Sequence, residues 1–425
     1  MTNLATTSAG WDAELETIGR RARAASVALG QAKAEERTAA LKHMAEKLRE
    51  KTDAVLRANV LDMQRAEGKI SKAMMDRLNL SSVRIEAIAA ALEDVAAQPD
   101  PVGKTLEEWT RPNGLVISRV SVPLGVIGMI YESRPNVTAE AASIAIRGGN
   151  AIILRCGSDC FESSKAIAEV LRTALAEKGL PADALQLVPT TDREAVGALL
   201  RLSSCVDIIV PRGGRELIER VERESRIPLL RQYEGICHVY VHAKADPAKA
   251  VAIARNAKLR RVSICGAAEC LLVDRAVTAT LGAAIVKDLL DHNCEIRGDA
   301  EIQKLDMRVK AAGEADFGKE FLEPIMAARV VDGLDEAVAH INRYGSGHTD
   351  SILTEDGQAA ERFCRDVNSA VAIINASTQF TDGGEFGFGG EIGIATGRLH
   401  ARGPIGAAQL TSYKYIVRGN GQTRP

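Results

Sequence analysis

The sequence predicts an α/β protein built on parallel sheets, in two successive α/β domains. From Leu124 onward, short apolar runs alternate with longer stretches of helical periodicity, separated by Gly and Pro. The run Leu124-Gly-Val-Ile-Gly-Met-Ile-Tyr131 is apolar without interruption, as a strand buried on both faces requires. The composition agrees: 425 residues, 46% hydrophobic and 26% charged but only 4% aromatic, is the aliphatic-rich balance of a globular α/β enzyme. A chain this long exceeds one simple core, so two or three domains are expected.

In chain order, Trp11 to about Ala66 reads as a long amphipathic helical opening, with Leu41, Met44, Leu48, Val55 and Leu56 at helical spacing. A helix over Val83–Ala97 stops at Gln98-Pro-Asp-Pro101. After a turn at Arg111–Gly114, Leu115–Val122 alternates with period two; it reads equally as an exposed strand open to assembly or as an ordinary hairpin. The first alternation follows: helix Val137–Arg147, strand Ala151–Leu154, helix Phe161–Lys178, strand Leu185–Val188, helix Arg193–Leu202 and strand Val206–Val210. The second begins after Val239–Val241. It comprises helix Pro247–Ala257, strand Glu269–Val273, helix Val277–Leu290, a strand near Ala328–Val331, helix Leu334–Arg343, strand Ser351–Leu353, helix Gln358–Arg365 and strand Val371–Ile374. Asp382–Gly390 is a glycine-rich loop suited to unusual backbone angles or close approach to a ligand, and Leu410–Val417 is an exposed strand.

Lys+Arg total 54 against 56 Asp+Glu, a net charge of -2 with no single-sign run, so neither nucleic acid nor a membrane surface is expected as a partner. The eight cysteines lack the spacing of a disulfide framework and read as reduced thiols. With no signal peptide and no apolar run of membrane length, the expected location is the cytoplasm.

The chemistry centres on Asn256–Asp274. A helix end, a basic and then small-residue loop, one cysteine and a buried strand follow one another. Cys265 beside Arg260 and Arg261 is either a nucleophile held partly as thiolate or a small core filler. Asn136, just past a buried strand, is either a donor to a developing oxyanion or a helix N-cap. Arg155 ends a strand where a nucleotide ribose or phosphate would be met, or is a surface arginine. Pro211-Arg-Gly-Gly214 either presents backbone N–H groups to a phosphate or makes a plain turn. His238, His242 and Cys237 fall together, yet their spacing suits structural roles better than zinc, and no metal site is expected.

Several blocks carry a family resemblance: Pro123–Thr138, Gly149–Arg155, Asp207–Gly214, Gly235–Val241, and Asn256-Ala-Lys258 with Cys265 and Glu269. With His340-Ile-Asn342, Tyr344–Asp350, Asn375–Gly384 and His400–Pro404, they resemble the gamma-glutamyl phosphate reductases, in register from about residue 12 onward. Asn375-Ala-Ser-Thr-Gln-Phe-Thr-Asp-Gly-Gly384 and His400-Ala-Arg-Gly-Pro404 are not shared by aldehyde dehydrogenases in general. The resemblance implies an aldehyde dehydrogenase-like fold: a Rossmann-like NADP-binding domain over 1–109 and 124–240, an α/β catalytic domain over 241–400, and oligomerisation strands at 110–123 and 405–425. It implies NADPH-dependent reduction of L-glutamyl 5-phosphate to L-glutamate 5-semialdehyde in proline biosynthesis, by a homo-oligomer with glutamate 5-kinase as a protein partner.

By the same resemblance Cys265 is the nucleophile and Asn136 the oxyanion amide. Arg155, Ser158, Gly213, Gly214 and Glu320 hold the cofactor, and Arg134 and Arg402 hold the anionic substrate. Two departures stand out. Gly266 follows Cys265 where many relatives have Asn. Glu234 lies where hydrolytic aldehyde dehydrogenases keep a general base, and reduction of an acyl phosphate needs no activated water, so no catalytic role is expected for it.

Overall fold

The computed structural model describes residues 8–231 and 234–424. They form two compact units, one of residues 8–231, 387–393 and 405–424, the other of 234–386 and 394–404.

In the first unit the expected helical opening is three helices, Ser8–Gln31, Ala34–Glu50 and Thr52–Ala66. The first break is held by buried Arg37, whose guanidinium donates to the Leu29 and Ala32 carbonyls at the helix end and to the Asp100 carboxylate. Satisfying orphan carbonyls in this way ends a helix without Gly or Pro. The core is a parallel sheet of β3 (Val126–Tyr131), β4 (Ala151–Cys156), β5 (Leu185–Leu187) and β6 (Ile208–Arg212), in the order β5-β4-β3-β6. Helix Phe161–Glu177 begins at Cys160, which supplies no capping side chain. Its free N–H groups are taken by Asp62 of helix Thr52–Ala66, which accepts from Ser163 N at 2.7 Å, Ser163 Oγ at 2.6 Å and Glu162 N at 3.2 Å.

The same unit carries an antiparallel three-stranded sheet, β1 (Thr105–Thr110), β2 (Val116–Pro123) and β16 (Thr411–Arg418). Of the two readings for 115–122 the ordinary hairpin holds, since β1, the turn at 111–114 and β2 form one, and the strand region begins before residue 110. The strand is central, not an open edge, because β1 covers its other side. β1 gives no strand signal in the sequence because Thr105-Leu-Glu-Glu-Trp-Thr110 is exposed almost throughout and has no apolar alternation.

In the second unit seven strands form one parallel sheet: β7 (Cys237–Val241), β8 (Ala268–Asp274), β9 (Glu295–Gly298), β10 (Lys310–Ala311), β11 (Ile325–Val331), β12 (Thr349–Leu353) and β13 (Val371–Ile374). Their order is β10-β9-β11-β8-β7-β12-β13. The expected boundary at 240/241 is corrected: β7 pairs with β8 and β12, so its residues belong to this sheet. Val239, Val241, Leu271 and Val273 pack on one face with Ala250, Ala254 and Ile285. Tyr240, Cys270 and Leu272 pack on the other with Phe317, Ile341 and Phe363. Short β14 (Ile394–Ala395) and β15 (Gly403–Pro404) form an antiparallel pair. Among the described residues no helix is long and apolar enough to cross a membrane.

Asp62→Ala should strip the cap from helix Phe161–Glu177 and cost about 1–2 kcal/mol of stability, read as a lower urea midpoint at unchanged m-value.

Candidate active site

The candidate residues separate by sheet edge. In the first unit they lie just past the carboxyl ends of parallel strands: Arg134 and Asn136 after β3, Arg155 and Ser158 at the end of β4, Gly213 and Gly214 after β6. That edge is where open parallel sheets bind ligands. Asn136 does not act as a side-chain N-cap; its Nδ2 donates to Glu140 Oε1 at 3.0 Å, which removes the capping alternative. Arg155 is 6% exposed, so it is not a surface arginine. Its guanidinium donates to the carbonyls of Thr191 (2.9 Å) and Asp192 (3.2 Å), while Nε has no hydrogen-bond partner. Burial pushes its pKa down from the usual arginine value. A Cβ on Gly213 would stand 2.7 Å from Glu132 Oε2 and 2.5 Å from Leu217 Cδ2, the movable ends of two side chains that pack against this turn. Ser158, Gly213 and Gly214 are exposed.

In the second unit the residues gather at the opposite edge, where the parallel strands begin. Cys265 sits in the turn before β8; of the eight cysteines only it and Cys364 are not buried. No disulfide joins any of them. The peptide of Cys265 is held from several sides. The Cys237 thiol donates to its carbonyl at 3.2 Å. Gly235 presses so closely that a Cβ would fall 2.0 Å from the Cys265 oxygen. Gly235 N in turn donates to Glu320 Oε1 at 2.8 Å, and Ile236 N to Ser346 Oγ at 3.0 Å. Thr378 Oγ1, in the Asn375–Gly384 block, donates to the Gly266 carbonyl at 2.7 Å. Gln379 Nε2 donates to the carbonyls of Asn256 and Ala257. At Gly266 a Cβ would lie 3.2 Å from the Thr378 carbonyl oxygen, a tight contact for any side chain.

Glu320 and Arg402 share this edge. Arg402 Nη2 donates to the Asn368 carbonyl at 2.8 Å, and Arg398 binds the Asn368 side chain, so two guanidinium groups meet one asparagine. Arg260 reaches Gln379 Oε1 at 3.4 Å and serves the loop's anchoring. His238, His242 and Cys237 do not converge as ligands, because Cys237 bonds the Cys265 carbonyl and His242 Nδ1 pairs with Thr354 Oγ1 at 2.7 Å.

One pair was missed. Lys258 and Glu269 are 0% and 1% exposed and meet at 2.5 Å, with Leu322 N donating to Glu269 Oε1 at 3.3 Å. The pair therefore ties the helix before Cys265 and the strand after it to the segment following Glu320. The signal was present, because one carboxylate inside the apolar run Ala268–Val273 needs a buried partner. Burial raises the Glu269 carboxyl to about 7 even though Lys258 draws it down.

Comparison with known proteins places this geometry. The aldehyde dehydrogenase family model matches residues 1–300 and 315–416. The gamma-glutamyl phosphate reductase of Paramagnetospirillum magneticum is 54% identical over 420 residues, 99% of each chain. The chain belongs to this family. That of Methylobacterium sp. strain 4-46 is 56% identical, over 97% of this chain and 96% of its own. The crystal structure of gamma-glutamyl phosphate reductase from Thermotoga maritima superposes with a TM-score of 0.94 at 42% identity, covering 97% of this chain and 100% of that one. The aldehyde dehydrogenase-like fold expected from the sequence is thereby established, and family membership makes the chain a nicotinamide-dependent oxidoreductase.

Two outcomes follow from the geometry. Gly235→Ala must push the Cys265 peptide aside and should lower turnover by about 100-fold, measured beside an unchanged far-ultraviolet circular dichroism spectrum. Glu269→Gln keeps the side-chain shape beside Lys258 while removing the ionisable carboxyl, so its effect is read in urea midpoints across pH. Because the folded state raises the Glu269 pKa, it binds this proton more tightly than the unfolded chain does. The wild-type contribution therefore falls as pH rises from the ordinary carboxylate range through about 7, and the Gln variant should lose that slope in urea midpoints.

Proposed function

We propose that the protein reduces L-glutamyl 5-phosphate to L-glutamate 5-semialdehyde and phosphate at the expense of NADPH, in proline biosynthesis in the cytoplasm. The observation that carries the reading is Cys265: a partly exposed thiol on a tightly braced turn, in a chain more than half identical to gamma-glutamyl phosphate reductases over nearly its whole length.

The Cys265 thiolate attacks the acyl carbon, and the oxyanion is held by the Cys265 backbone N–H and the Asn136 carboxamide; one such donor is worth about 10²–10³ in rate. The C–O bond to phosphate breaks, leaving a thioester on Sγ, and phosphate departs with little acid assistance. NADPH, when bound, would supply the hydride that brings this carbon to the aldehyde level. The C–S bond then breaks and the thiolate is regenerated. Arg155 suits the 2'-phosphate of NADPH, because its buried guanidinium keeps one nitrogen without a partner, and the exposed backbone of Gly213 and Gly214 with Ser158 suits the rest of the dinucleotide. Glu320, which accepts from Gly235 N, suits a contact with the nicotinamide ribose. Arg134 and Arg402 bind the carboxylate and phosphate of the substrate.

The exposed face of the three-stranded sheet, with Tyr413, Tyr415 and Val417, suits assembly with further copies of the chain, and glutamate 5-kinase is the natural supplier of so labile a substrate. A CoA-acylating dehydrogenase or a catalytically silent scaffold for the kinase would show no phosphate-dependent reduction of NADP+ with the semialdehyde. One spectrophotometric assay separates the three.

Cys265→Ala should lower that turnover by more than about 10³-fold while retaining cofactor binding; substantial residual turnover excludes the covalent route. Arg155→Ala should raise the KM for NADPH by about 10–100-fold relative to that for NADH, and equal losses remove the 2'-phosphate role.

A further inference from the structure

One face of the seven-stranded sheet holds a buried cluster that the reaction does not use. Asp350, His238 and Cys270 stand in a row across β12, β7 and β8, because His238 pairs in register with both others. Helix Gly333–Tyr344 packs on this face and adds His340, whose Nε2 lies 3.7 Å from Cys270 Sγ. One ligand atom from each of His238, Cys270 and His340 lies within 4.8 Å of the others, and all three residues are buried.

His238 is the informative member. Its Nδ1 is committed to Asp350 Oδ1 at 2.8 Å, and the same carboxylate accepts the His238 backbone N–H and the Ser369 hydroxyl. Its Nε2 is fully buried and has no hydrogen-bond partner. Leaving such a nitrogen unsatisfied costs about 1–3 kcal/mol, a cost that a bound ligand would remove.

We propose that His238 Nε2, Cys270 Sγ and His340 Nε2 form a buried binding site for a d10 metal ion, Zn2+ or Cu+. Two imidazoles and a thiolate are the donors such ions select, whereas Ca2+ and Mg2+ require oxygen. Bonds of about 2.0–2.1 Å to nitrogen and about 2.3 Å to sulfur set N and S about 3.5–3.8 Å apart around one ion. The observed 3.7 Å between His340 and Cys270 matches. Asp350 on the far nitrogen of His238 is the carboxylate–histidine arrangement that orients a metal-bound ring. The rings of Phe317 and Tyr344, with centroids 5.3 and 4.6 Å from that of His340, close the surroundings. On coordination the Cys270 thiol gives up its proton to solvent. The ion would tie β7, β8 and the helix together in the unit that carries Cys265, and it has no part in the chemistry.

The test uses the full chain without an affinity tag, in a Cys265→Ala background that removes the accessible thiol. It is produced in medium supplemented with zinc or, separately, copper, and desalted before metal is measured by plasma mass spectrometry. About one ion per chain is expected in one arm, which identifies the metal, with a raised thermal midpoint and at least about tenfold less metal in Cys270→Ser and in His340→Gln. X-ray absorption at the metal edge should show nitrogen and sulfur neighbours. Negligible metal in both arms, or equal metal in the parent and in whichever variant folds, overturns the site and leaves the cluster as metal-free core packing.

Discussion

Parallel pairing of β7 with β8 and β12 is the constraint on which the candidate active site rests. Parallel strands begin at a common edge, so the segments that enter them are brought together whatever their distance in sequence. Gly235, Cys265, Glu320 and Ser346 all precede strands of this sheet, and hydrogen bonds from Gly235, Ile236 and Cys237 join the entrance of β7 to the other three. Both faces of the sheet are buried, so a slip of one residue would exchange Val239 and Leu271 with Tyr240 and Leu272 between two different cores. The register of the thiol-bearing turn is therefore set by side chains packed inside the sheet, and its local position by Cys237, Gly235 and Thr378.

The polar groups inside this unit follow the same economy. Lys258 and Glu269 are buried beside the turn that displays Cys265, and the carboxylate also fixes the segment after Glu320. Burying two charges is costly, and hydrophobic replacements would hold the region at least as well. What they would not supply is direction: a carboxylate that accepts from a particular ammonium and a particular N–H admits one arrangement of three segments. Asp350 does the same on the far side of β7, where it orients His238 and receives Ser369.

The first unit solves a different problem. Its candidate residues sit at the carboxyl edge of its sheet, where helix N-termini and exposed backbone suit a dinucleotide. There Gly213 accommodates the chain's own Glu132, and Arg155 braces the Thr191–Asp192 backbone from a buried position. The three-stranded sheet of this unit brings β16, close to the end of the chain, against β2, nearly 300 positions earlier. Trp109 and Tyr415 meet edge to face across it, an arrangement no local pattern encodes.

The sequence by itself determined the parallel α/β class, most of the buried strands and the thiol-bearing turn, because apolar periodicity and Gly/Pro punctuation act over a few residues. The family blocks singled out Cys265, Asn136 and Arg155 from many other polar residues. Only the tertiary structure decided that 115–122 is a central strand, that residue 237 already belongs to the second sheet, and that Asn136 is not a side-chain cap. The same holds for the Gly235 contact with Cys265, for the Lys258–Glu269 pair and for the meeting of His238 with Cys270 and His340. Each depends on partners dozens to hundreds of residues away, and the register that brings them together is chosen by the packing of the whole sheet.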